Sequence, residues 1–106
     1  LGKRTEALAA FERMHQVAPS DADVNLKRAY LLKETDLARS YEILRTVIEN
    51  PNPPPAAYIL LAENKMYEGL QAEAAKALVD GLRKYPNNGA IISKLNEYGF
   101  ELFSLE

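Results

Sequence analysis

Residues 69–86 read GLQAEAAKALVDGLRKYP, and residues 2–19 read GKRTEALAAFERMHQVAP. The two stretches share one layout. Gly2 matches Gly69, Glu6 matches Glu73, Ala7 matches Ala74, Ala10 matches Ala77, Phe11 matches Leu78 and Pro19 matches Pro86, each pair 67 positions apart. Ala7 and Phe11, like Ala74 and Leu78, are i,i+4 neighbours on one helical face. A small residue beside a large one lets a second helix approach closely while the bulky side chain fills the adjoining gap. The proline that follows cannot continue a helix and fixes a turn. The chain therefore repeats itself, and the repeated unit is a helix built to pack against other helices.

Ahead of Gly69 stand Tyr58, Leu61, Ala62 and Lys65, spaced as the first half of a helical hairpin. Between the two stretches stand Asn25, Arg28, Ala29 and Leu32, then Ser40 and Leu44. This pattern resembles the tetratricopeptide repeat, a unit of about 34 residues with W-x2-L-G-x2-Y in its first helix and A-x3-F followed by P in its second. A separation of 67 is two such units less one, which predicts a middle repeat with one residue deleted. Lys65 departs from the pattern at the final aromatic position. In the middle unit only Ala29, Leu32 and Leu44 fit it. The resemblance implies an all-α, right-handed solenoid of antiparallel helix hairpins. Residues 1–19 are then the second helix of a truncated repeat, 20–52 a degenerate repeat, 53–86 a well-matched repeat and 87–106 a capping helix. The chain begins with Leu inside a repeat, and we expect it to be a piece of a longer protein with further repeats upstream.

In chain order, helices are expected over 3–17, 22–34, 37–49, 55–66, 70–84 and 89–103. Ala7, Ala10, Phe11, Met14 and Val17 form an apolar stripe on the first. Its partner helix would precede Gly2, so self-association through this exposed amino-terminal helix is expected. Ser20 followed by Asp23 resembles a capping box. Thr35-Asp36 caps the third helix. The proline-rich run 50–55 reads as a stiff loop, with Pro55 at the first helical position. Gly81 costs about 1 kcal/mol of helix propensity unless close packing compensates. Gly99 is read as a close helix crossing. The sixth helix carries Ile91, Ile92, Leu95, Tyr98, Leu102 and Phe103 and serves as the terminal cap that a solenoid needs.

A chain of 106 residues is one domain, with a modest core. Its formal net charge of -2 argues against a general nucleic-acid binder, which would carry a basic excess. No apolar run approaches the roughly 20 residues of a membrane span, and no signal-peptide layout is present. There are no cysteines, so disulfides and thiolate metal sites are excluded, and cytoplasm and periplasm stay equally open. Catalytic signals are scarce. His15 is the only histidine; with Ser20 and Asp21 it suggests a triad in name only, because nothing implies the required geometry. No phosphate loop, zinc spacing or calcium loop occurs. We expect no enzyme activity, no cofactor and no bound metal.

In the resembling family, the first helix of each hairpin lines a concave surface that holds peptides or partner domains. Carried over by register, the partner-binding positions are Leu26, Lys27, Tyr30 and Lys33 on the second helix, and Ile59, Leu60, Glu63 and Tyr67 on the fourth. One branch of the family grips a carboxylate tail with lysine, asparagine and arginine. Here those positions hold Leu26, Tyr30 and Ile59 or Leu60, with Lys27 alone basic, so a carboxylate clamp is not expected. An apolar centre with a charged rim suits a helix or an apolar stretch as ligand. The expected function is a protein-interaction scaffold. The alternatives are the structural end of a longer solenoid, or a helical regulatory appendage of a larger enzyme.

Overall fold

A computed structural model describes residues 2–100, and the expected apolar positions Leu102 and Phe103 lie outside them. The described residues form six helices and no strands: α1 (Gly2–Val17), α2 (Ala22–Leu32), α3 (Leu37–Ile48), α4 (Pro55–Tyr67), α5 (Gln71–Lys84) and α6 (Gly89–Glu97). The chain divides into two compact units, residues 1–57 and 58–106, with the boundary inside α4.

In the first unit α2 packs against both α1 and α3. Val24 and Ala29 of α2 and Ile43, Leu44 and Val47 of α3 are buried. The buried Ser40 donates from Oγ to the Ala29 carbonyl at 2.7 Å, so α3 can approach α2 through a small side chain without leaving its hydroxyl unpaired. None of the residues of α1 is fully buried. In the second unit Ala62, Ala74, Ala77, Leu78, Leu82, Ile91 and Leu95 form one apolar cluster contributed by α4, α5 and α6.

The helix ends follow local chemistry. Asp21 and Asn88 cap α2 and α6, accepting from the amides of Val24 at 3.1 Å and Ile91 at 3.0 Å. Both caps have φ -71° and ψ 111°. They lie 67 positions apart, so the internal repetition runs past the prolines into the following helix. Asp21, not Ser20, is the cap of α2, because its carboxylate reaches the amide three residues on. Asp36 caps α3 in the same way, accepting from Arg39 N at 3.1 Å. Pro55 opens α4 as expected.

Two helices stop at glycines with positive φ, Gly69 at 78° and Gly99 at 76°. After α4, Gly69 N donates to Met66 O at 2.9 Å and Leu70 N to Lys65 O at 2.8 Å. After α6, Gly99 N donates to Asn96 O at 3.1 Å and Phe100 N to Leu95 O at 2.9 Å. Each is a Schellman stop, a conformation that side chains with a Cβ disfavour. Gly99 is thus a helix terminator and not the close crossing expected from sequence, and a Cβ there would meet nothing within 4 Å. For the same reason α6 ends at Glu97, short of the expected limit at 103. The close crossing is at Gly81. A Cβ on it would lie 2.9 Å from Tyr58 Cβ and 3.0 Å from Ile91 Cδ1.

Candidate functional site

The eight positions assigned from sequence divide four and four between the two units. On α2, Leu26 is half-buried and Lys27 is exposed. Tyr30 is 49% exposed, and the Lys33 ammonium lies 5.8 Å from the centre of its ring. An aromatic ring held out in water and partly covered by a cation is a ready contact for an apolar or aromatic partner group. This α2 face is opposite in character to the one that carries the buried Val24, Asn25, Arg28 and Ala29.

On α4, Tyr67 is 56% exposed and Ile59 is half-buried. Leu60 is 7% exposed and belongs to the packing, so it presents no contact to a partner. Glu63 is engaged by Lys94 at 3.1 Å, and the same ammonium reaches Glu97 at 3.4 Å. Burial opposes the charge on Lys94, but the hydrogen bond and charge of Glu63, with Tyr98 and Glu97, outweigh it and hold its pKa above the ordinary lysine value. Glu63 therefore ties α4 to α6 in place of offering an open charge. Burial likewise raises the Tyr58 and Tyr98 phenols, in the second case against the pull of Lys94. Of the eight positions, Tyr30 and Tyr67 are the large apolar side chains left exposed.

Sequence reasoning passed over a polar cluster in the first unit. Arg28 is only 3% exposed, and its Nε is ion-paired with Glu12 of α1. Its Nη1 donates to Asn25 Oδ1 at 2.9 Å, and Asn25 Nδ2 donates to the Pro19 carbonyl at 3.0 Å. The hydrogen bond from Arg28 is the main cause that holds the Glu12 carboxyl below the usual glutamate range. Beside this cluster is a cavity of about 230 Å³ lined by His15, Arg28, Arg39, Glu42, Ile43 and Thr46, among others. His15 is half-buried, and its Nδ1 is shielded from solvent and has no hydrogen-bond partner among the described residues. His15 Nδ1 makes no hydrogen bond to Asp21, whose Oδ1 accepts from the Val24 amide as the α2 cap. The signal for the cluster was present in the sequence. Asn25 and Arg28 stand where the resembling pattern has Trp and Leu.

Among the described residues no group of three or more His, Cys, Asp or Glu could hold a metal ion. No described helix is long and apolar enough to cross a membrane. The fold and these surfaces define an all-helical protein with two compact units and an internal 67-residue repetition. Comparison with protein-family models, with curated proteins and with solved structures found no match.

Proposed function

We propose that the chain is a protein-interaction scaffold, a tetratricopeptide-like helical module that holds a peptide or partner protein through the exposed face of α2 in the first unit or that of α4 in the second. The observation that carries this reading is the pair of exposed tyrosines, Tyr30 and Tyr67. An exposed tyrosine one helical turn from a half-buried aliphatic, here Tyr30 after Leu26, matches the composition of binding hot spots, where large amphipathic rings supply contact area at low entropic cost. Lys27 and Lys33 supply a cationic margin on α2 and would orient an acidic flank of the ligand. The right-handed solenoid arrangement belongs to this proposal and rests on the sequence repetition.

The test is selection of a displayed peptide library against the whole chain, followed by binding to Tyr30→Glu and Tyr67→Glu variants. Selected peptides should lose binding at least tenfold to one or the other variant while helical content and Tm stay unchanged. Peptides that bind both variants as well as the parent chain would defeat the reading.

We propose further that α1 mediates self-association with a second copy. Met14 is exposed and Val17 is 87% exposed. They border an open, mainly apolar groove of about 520 Å³ lined also by Ala10, Ala18 and Val24, with Arg13 and Asp21 at it. Apolar surface of this kind favours burial against another chain.

A further inference from the structure

The internal repetition supplies its own control for the buried polar cluster. Glu12, His15, Asn25 and Arg28 correspond, 67 positions on, to Val79, Leu82, Ile92 and Leu95. Leu82 and Leu95 are buried, and Val79 and Ile92 are half-buried. The second unit thus fills the corresponding helix–turn–helix positions with four apolar side chains. In the first unit the crossing instead holds a guanidinium at 3% exposure, and burying an ion carries a desolvation penalty that apolar packing avoids.

The cluster is also incompletely satisfied. Arg28 uses Nε and Nη1 toward Glu12 and Asn25. His15 Nδ1 is buried and has no hydrogen-bond partner among the described residues. Both residues line the same cavity, together with Arg39. Arg39 pairs with exposed Glu42 at 3.0 Å, a surface pair that a ligand can replace at small cost, and its charge also acts on Glu12.

We propose that this cavity binds a carboxylate group. Arg39, released from Glu42, offers a planar fork matched to two carboxylate oxygens, His15 in its Nδ1–H tautomer donates a further bond, and the charge of Arg28 faces the same space. With Glu12 kept on Arg28 and Glu42 displaced from Arg39, one positive charge is left uncompensated, which suits a single negative charge better than the double charge of phosphate. The walls of Ile43 and the stem of Thr46 accept the aliphatic part of the ligand. None of the eight groove positions lines this cavity, so the assignment is independent of the interaction reading above.

The experiment is an NMR titration of the full chain with acetate at constant ionic strength, with acetamide and inorganic phosphate as the other two arms. The backbone amides of Ile43 and Thr46 are the probes. Acetate should give saturable shifts at both. Acetamide should give none, and phosphate should bind at least fivefold more weakly. Arg28→Leu should abolish the acetate response. A second variant, Glu12→Val, His15→Leu, Asn25→Ile and Arg28→Leu together, installs the residues of the second unit. It should keep the helical spectrum, melt at a higher temperature than the parent and show no response to acetate. Three results would each overturn the proposal. They are a non-saturating or acetamide-like response, phosphate binding as tight as acetate, and a fourfold variant that melts lower than the parent, which would make the polar cluster a requirement of the fold.

Discussion

At Gly81 two effects of opposite sign meet. Alanine there would recover about 1 kcal/mol of helix propensity. It would also drive a Cβ to 2.9 Å from Tyr58 Cβ, an atom fixed to the backbone of α4 that cannot swing aside. Overpacking of this kind costs about 1–3 kcal/mol, so Gly81→Ala should lower stability in urea unfolding. A midpoint equal to or above the parent's would contradict the close crossing. Glu12 carries a second prediction at this scale. Its pKa is lowered in the folded chain, so the stability it contributes is fully present above the ordinary glutamate range, about 4.3. That contribution is lost as pH falls through the depressed value. Acidification from pH 6 to pH 3 should therefore destabilise the parent chain more than Glu12→Gln, with the two compared by thermal melts across that interval. Equal acid sensitivity would show that the pair with Arg28 stabilises neither form.

The elements were legible to the extent that their ends are written in side chains. Pro55, Asp36 and Asn88 mark starts that a reader of the sequence can place, because each acts on its own backbone. The end of α6 was misjudged, since Tyr98, Leu102 and Phe103 continue an apolar rhythm that Gly99 interrupts with a local left-handed turn. The buried Arg28 was misjudged for a different reason. Its partner Glu12 lies 16 residues away on another helix, and periodicity within one helix cannot announce such a pairing. Leu60 and Glu63 were placed on an open face by register alone, whereas packing and Lys94 claim them. The caps give the element-scale prediction. Asp21→Ala and Asn88→Ala should each cost about 1 kcal/mol, read by chemical denaturation. The two losses should be similar, because the two caps share one geometry.

For the molecule as a whole, the two units differ in how far their repeated helix is enclosed. Ala74, Ala77, Leu78, Gly81 and Leu82 of α5 are buried, while the matching Ala7, Ala10, Phe11, Met14 and His15 of α1 are half-buried or exposed. A second copy covering the α1 groove would remove that difference. The sedimentation coefficient of the chain should rise with concentration, and Met14→Lys with Val17→Lys should hold it at the monomer value. Constancy across a hundredfold range in the parent chain would refute self-association.

The glycine stop after α4 has a kinetic consequence. It reverses the chain within the three residues that separate α4 from α5, with main-chain bonds from Gly69 and Leu70 and a Lys65–Glu73 ion pair at 2.9 Å across the turn. Closing so short a connection forfeits little chain entropy, and contacts near in sequence form ahead of distant ones. The α4–α5 hairpin is thus the natural nucleus for refolding. Replacing Gly69 by alanine should slow refolding in stopped-flow measurements, whereas Gly99→Ala should act mainly on the unfolding rate.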